Sequence, residues 1–144
     1  MYLLDTNACI AVINGKPVSV RTRLQREFDA GARVLVSPVV AFELCYGGAK
    51  SARQEANAKL LATFFAGPLS MLAFEEEDAK IAGKLRAEIE AAGKPIGAYD
   101  LLIAAQAMRH ELILVTAKAR EFGRIKQLRW EDWAKAFRDT TYLS

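Results

Sequence analysis

Short apolar runs separated by longer helical segments constrain the fold of this chain most strongly. The clearest runs span 2–4, 34–36 and 112–115, another spans 69–74, and a short fifth strand is expected near Leu128. Strands that alternate with helices pair in parallel, because each right-handed crossover returns the chain to the same end of the sheet. The pattern therefore predicts an α/β sandwich in which helices cover a short parallel sheet.

Capping and stop signals place the helices between these runs. Ser37-Pro38 is typical of an N-cap followed by the first helical residue, and Gly47-Gly48 is expected to end that helix. The acidic run 75–78 suits a helix N-terminus, where negative charge is favourable. The helices are expected to pass through 9–13, 17–31, 39–47, 51–65, 75–92 and 97–108.

Length and composition indicate one globular domain, 1–144, in the cytoplasm. Hydrophobic residues make up 52% of the 144 residues and charged residues 26%, which is the balance of a folded domain with a proper core. No apolar run approaches the roughly 20 residues of a membrane-spanning helix, and no basic leader precedes Asp5. Cys9 and Cys45 are expected to be small buried residues, and with His110 as the single histidine a zinc site is not expected.

Three carboxylates occur in apolar surroundings where solvation does not account for them. Asp5 ends the run 2–4, Glu43 lies within 39–46, and Asp100 lies within 99–105. Helical spacing places Glu43 and Asp100 on apolar faces, where an unpaired charge costs several kcal/mol. No lysine or arginine lies within a helical turn on those faces. The pattern favours a hard divalent cation, magnesium or manganese, over three acids that are separately capped or paired with buried arginine.

Positive charge is concentrated near the end of the chain, although the net charge of +3 is mild. Between residues 117 and 138 the bases outnumber three acids, Glu121, Glu131 and Asp132. This excess either follows a phosphate backbone or forms an ordinary solvated face. The seven bases are Lys118, Arg120, Arg124, Lys126, Arg129, Lys135 and Arg138.

Several motifs in this order resemble those of a known family, the VapC-type PIN-domain toxins. The resemblance covers nearly the whole chain, and the ordered set is far more specific than a lone Asp-Thr-Asn. The matching segments are Leu4-Asp5-Thr6-Asn7, Ala41-Phe42-Glu43-Leu44, 96–105 (IGAYDLLIAA), 112–116 (LILVT), Arg120-Glu121-Phe122 and 128–133 (LRWEDW).

The resemblance implies a three-layer sandwich with an acidic Mg²⁺ pocket, in which Mn²⁺ can substitute, at the carboxyl edge of the sheet. It also implies endonucleolytic cleavage of single-stranded or loop RNA, often transfer RNA, by a homodimer that a VapB-like antitoxin neutralises. Asp5, Glu43 and Asp100 match the family's metal-binding acids. The positions that match its polar supporting residues are Thr6, Asn7 and Thr116.

One position departs from the family pattern. Two residues after Thr116 the family usually has Asp or Asn, and this chain has Lys118. The lysine is expected either to exclude a second metal ion or to turn into solvent. With Arg120, Arg124 and Lys126 it is also a candidate RNA contact.

The expected reaction is attack by a metal-activated water. The resemblance implies that this attack leaves a 5′-phosphate and a 3′-hydroxyl. Two alternatives stay open. Lys118 would suit a PIN-fold binding module with weakened catalysis. A haloacid-dehalogenase-like phosphohydrolase also begins with an aspartate after its first strand, but it would need a second aspartate where this chain has Asn7. A nucleophilic Ser37 or Cys45 is disfavoured, because neither has a histidine nearby in sequence.

Overall fold

The computed structural model describes residues 1–135, and its centre is a five-stranded parallel sheet. The strand order is β3-β2-β1-β4-β5, so the predicted parallel α/β sandwich is confirmed. The strands are β1 (Tyr2–Leu4), β2 (Val34–Val36), β3 (Ser70–Met71), β4 (Ile113–Val115) and β5 (Trp130–Glu131).

Helices connect the strands and flank the sheet in a three-layer arrangement. No helix within residues 1–135 is long and apolar enough to cross a bilayer. The helices are α1 (Thr6–Asn14), α2 (Val18–Asp29), α3 (Pro38–Lys50), α4 (Gln54–Phe65), α5 (Glu76–Ala91), α6 (Ala98–Arg109) and α7 (Ala119–Phe122).

The core is built on β1 and its two neighbours. Leu3 of β1 lies in register with Leu35 on one side and Leu114 on the other. All three side chains are buried, because helices cover both faces of the sheet. Continuous apolar runs rather than alternating ones were therefore the correct signal for these strands.

Several element boundaries differ from those expected from the sequence. Helix α3 continues through Gly47 and Gly48 to Lys50, because both glycines adopt helical backbone. A Cβ on Gly48 would lie 3.4 Å from Leu61 Cδ1, an ordinary van der Waals contact, so this part of α3 packs directly against α4. Helix α4 then starts at Gln54 rather than at Ser51, which caps α3.

The expected strand at 69–74 is shorter, since pairing with β2 is limited to Ser70 and Met71. The fifth strand lies two residues beyond Leu128. Cys9 is buried as expected, but the expectation for Cys45 is wrong: it lies on the exposed side of α3.

The strand order determines where a site can form. From β1 the chain moves outward through β2 and β3, and it returns to the other side of β1 at β4. The connections that leave β1 and β4 therefore diverge and open a crevice at the carboxyl ends of these strands, the usual position of sites in open α/β sheets. Asp5 and Thr116 directly follow the two strands.

Candidate metal centre

Asp5 lies at the base of this crevice and is 2% exposed. Its Oδ1 accepts a hydrogen bond of 2.8 Å from the Ala8 amide, so the side chain caps α1. Burial raises the pKa of the Asp5 carboxyl, and hydrogen bonds from Thr116 and Ala8 together with the charge of Lys118 oppose that shift only in part. Asp5 is thus an acid held in place by local structure in a site that disfavours its charge.

Glu43 is supplied by α3 and is half-buried. Its Oε1 accepts a hydrogen bond of 2.6 Å from Thr6 Oγ1, which orients the carboxylate toward the start of α1. The buried face expected around Glu43 is only partly present: Val40 is buried, but Tyr46 and Gly47, which helical spacing places on the same face, are exposed. Glu43 lies at the border between core and solvent, where an acid can be kept charged and still reach a ligand.

Asp100 is in the first turn of α6, with a side chain that is 15% exposed. Its Oδ2 accepts a hydrogen bond of 3.0 Å from Lys118 Nζ. Burial tends to lower the pKa of the Lys118 ammonium, but the hydrogen bond to Asp100 and the charges of Asp100, Asp5 and Glu43 outweigh it, so the pKa is raised. All three carboxylates therefore act on the same ammonium group.

The charges of Asp5, Glu43 and Asp100 all raise the pKa of Lys118, and we call these three residues the acid cluster, although within residues 1–135 their ligand atoms do not all lie within 4.8 Å of one another. The expectation that the acids lack basic partners is wrong for Asp100, since the partner comes from beyond β4 rather than from a neighbouring helical turn. Thr116 lies between the two sides: it is buried, its side chain lowers the pKa of the Asp5 carboxyl, and its Oγ1 accepts a bond of 2.9 Å from the Lys118 amide.

Other expected site residues lie outside this cluster. Asn7 and Arg120 are exposed. Arg124 donates to the Pro95 carbonyl and, with Lys126, lines a cleft beside the end of α5 that includes none of the three acids. Arg138 lies outside the described residues.

A second group of possible metal ligands, which the sequence analysis did not single out, is formed by Glu75, Asp78 and His110. Within residues 1–135 one ligand atom from each lies within 4.8 Å of the others. Arg109 already binds both acids, at 2.9 Å from Glu75 and 3.3 Å from Asp78. Asp78 Oδ2 also accepts the Glu75 amide at the start of α5. The two acids therefore have a helix cap and an arginine as partners, and we interpret this group as structural.

The acid cluster has the chemistry that a divalent cation requires. Carboxylate oxygens are the ligands that Mg²⁺ and Mn²⁺ prefer. The ammonium of Lys118 stands among them as a cation, which marks a place where positive charge is stabilised. Since the Lys118 side chain is 38% exposed, it lies at the open side of the crevice rather than in the core.

Comparisons with known proteins identify the family. The PIN domain family model matches residues 2–128. The chain is 38% identical to the tRNA(fMet)-specific endonuclease VapC of Shigella flexneri, over 92% of this chain and 98% of that protein.

Two solved structures of VapBC complexes are also similar. VapBC2 from Rickettsia felis, bound to a DNA fragment from its promoter, superposes with a TM-score of 0.84 at 36% identity over 92% of this chain and 98% of that one. DNA-bound VapBC from Salmonella typhimurium gives a TM-score of 0.83 at 37% identity, over 92% and 97% of the two chains. The chain therefore belongs to the PIN-domain family and, within it, to the VapC group.

Proposed function

We propose that this chain is the ribonuclease toxin of a VapBC-type toxin–antitoxin pair, acts in the cytoplasm and hydrolyses RNA phosphodiester bonds at the acid cluster. One observation carries the proposal: Asp5 follows β1 at the carboxyl edge of the sheet, and Lys118, which follows β4 at the same edge, binds Asp100 of α6 at 3.0 Å. The names of similar proteins, among them the Shigella VapC endonuclease, support the ribonuclease assignment.

PIN-domain nucleases generally use a divalent metal, and we propose Mg²⁺ here, with Mn²⁺ as a substitute. Asp5 and Asp100 would hold the ion, with Glu43 as a ligand directly or through water. When bound, it would neutralise charge on the scissile phosphate and lower the pKa of a water. Thr6 orients Glu43, because its hydroxyl donates a hydrogen bond to that carboxylate, and Thr116 lowers the pKa of the Asp5 carboxyl and so favours its charged form.

Lys118 has two roles in this proposal. Its ammonium holds Asp100 before the metal enters, and it provides a positive charge for a phosphate oxygen once Asp100 turns to the metal. The haloacid-dehalogenase alternative no longer applies, since the family model that matches the chain is that of the PIN domain.

The antitoxin would cover a groove that leads into the acid cluster. This groove, about 290 Å³, runs between α1, α3 and α4, and Glu43 forms part of its wall. Ile10 and Leu60, which are 40% and 47% exposed, make its rim apolar. An apolar tail of a VapB-like protein fits such a groove, and an arginine or lysine from it would reach the acids in place of metal. Nuclease rates of the free chain and of the purified complex test this, and equal rates would reject occlusion.

The test of the function is cleavage of RNA by the purified chain. We expect cleavage with Mg²⁺ and none with excess EDTA, and products that carry a 5′-phosphate and a 3′-hydroxyl. Transfer RNA is the first substrate to try, because the Shigella relative is named for it. If RNA is bound but never cut under any divalent ion, the chain is a PIN-fold binding module.

A further inference from the structure

Three exposed aromatic side chains form a continuous surface on α3 and α6. Phe42, Tyr46 and Tyr99 are 53%, 58% and 47% exposed. The rings of Phe42 and Tyr46 are nearly parallel, with centroids 6.5 Å apart, and Phe42 meets Tyr99 edge-on at 5.6 Å. Contiguous exposed apolar surface of this kind marks a binding site more often than isolated exposed residues do. We call these three residues the aromatic surface.

The aromatic surface borders the acid cluster. Phe42 immediately precedes Glu43 on α3, and Tyr99 immediately precedes Asp100 on α6. The contact between Phe42 and Tyr99 therefore joins the two helices in the same turns that carry two of the three acids.

Charge at the far side of the surface fits a nucleic acid. Lys50 Nζ lies 5.0 Å from the centre of the Tyr46 ring, so a cation borders the rings at the end away from the acids. A nucleotide combines a flat base, which stacks on an aromatic ring, with a phosphate that a lysine neutralises. Bases are free to stack on protein only where the RNA is unpaired.

We propose that the aromatic surface stacks unpaired bases next to the scissile phosphate and thereby makes the enzyme select single-stranded or loop RNA. The inference rests on the proposed function and adds a specificity determinant to it. Phe42 and Tyr99 are the positioning residues, because each directly precedes an acid of the cluster on its helix, and Tyr46 with Lys50 extends the surface for a neighbouring nucleotide.

The experiment compares Phe42→Leu and Tyr99→Leu with the parent. Leucine keeps an apolar side chain but removes the π-face. Met71→Leu is the matched control, since Met71 is 51% exposed on β3, outside the aromatic surface. All variants are made in an Asp5→Asn background so that RNA stays intact. Affinity with Mg²⁺ present is measured by fluorescence anisotropy for a short single strand, for the same strand with one abasic position, and for its duplex.

We expect each aromatic variant to bind the single strand about tenfold more weakly, while Met71→Leu binds as the parent does. The loss should be smaller for the abasic strand and absent for the duplex. A strand that carries 2-aminopurine should lose fluorescence on binding to the parent and keep it with the variants. This second readout does not depend on affinity, and Tyr99→Leu tests the proposal even if Phe42→Leu does not fold.

Two outcomes would overturn the inference. Equal weakening for single strand, abasic strand and duplex would show that the rings do not read bases. Unchanged RNA affinity with an altered mass in sedimentation would show that the surface joins two copies of this chain or binds another protein. Failure of the proposed function is separate: in that case the unmutated chain does not cleave RNA at all.

Discussion

Lys118 offers the sharpest test of how the acid cluster binds its ion. In Lys118→Met the stem is kept and the charge is removed. The ammonium lies 3.0 Å from Asp100 Oδ2, where Coulomb's law gives about 1.4 kcal/mol in water and about 5 kcal/mol at an effective dielectric of 20. Because the Lys118 side chain is 38% exposed, solvent screens the pair strongly, and a net value of about 1–2 kcal/mol is reasonable.

A metal ion that binds Asp100 must replace this contact. Loss of the lysine charge should therefore tighten Mn²⁺ binding by about 5- to 30-fold, the factor that corresponds to 1–2 kcal/mol. Lys118→Asn removes the same charge and adds an oxygen ligand at the position where the family usually has Asp or Asn. If Lys118 excludes a second ion, the asparagine variant should bind two Mn²⁺ per chain where the native protein binds one.

The assay is a titration that follows free Mn²⁺ by electron paramagnetic resonance, with cleavage rates measured on the same samples. Lys84→Met is the control for a general loss of positive charge, since Lys84 is exposed on α5. The reasoning is wrong if the native protein already binds two ions. It is also wrong if Lys118→Met binds Mn²⁺ with native affinity.

Two further predictions concern Asp5 and Thr6. Burial raises the pKa of the Asp5 carboxyl, so its ionised form destabilises the fold, and this cost grows as the pH rises from the ordinary pKa through the raised one. Asp5→Asn keeps the cap on α1 without the charge, so at neutral pH its free energy of unfolding should match or exceed the native value. Asp5→Ala also loses the cap and should be about 1 kcal/mol less stable than Asp5→Asn. Urea denaturation measures both differences. Thr6→Val removes the hydrogen bond to Glu43, so the affinity for Mn²⁺ should fall with little change in melting temperature. Native Mn²⁺ affinity in that variant would contradict the role of Thr6 in orienting Glu43.

The sequence predicted the parallel sheet because its central strands are buried on both faces and are therefore uniformly apolar. The run Val34–Val36 matches a strand of the structure, and so does Tyr2–Leu4. The sequence was less informative at the edge of the sheet. Ser70–Met71 is exposed, so burial does not mark where that strand ends.

The acids of the proposed site were recognisable from the sequence, but their contacts were not. Asp5, Glu43 and Asp100 stood out as carboxylates in apolar segments, and local spacing suggested that they had no basic partners. Lys118 is 18 positions from Asp100 and reaches it because β4 ends beside the start of α6. Only the strand order places these two ends at one crevice, and that order is a tertiary property.

The local sequence pattern also led to a wrong prediction of which face of α3 is buried. Continuous apolar residues from 39 to 46 suggested a buried face around Glu43, yet Phe42 and Tyr46 lie in solvent. A run that is apolar on every side does not reveal which face is buried. An apolar stretch longer than the core requires was the available sign in the sequence that some of these side chains lie outside the core.

The most direct test of the central claim is a single-turnover cleavage assay that compares the two groups of acids. Asp5→Asn, Glu43→Gln and Asp100→Asn remove charge from the acid cluster, and Glu75→Gln and Asp78→Asn remove it from the group around His110. We expect each of the three acid-cluster variants to cleave at least about a hundredfold more slowly, because metal ligation contributes several kcal/mol to catalysis. The Glu75 and Asp78 variants, once their folding is verified, should cleave within a few-fold of the native rate. Native rates for Asp5→Asn and Asp100→Asn, with loss of cleavage in the well-folded Glu75 and Asp78 variants, would contradict the assignment of the active site.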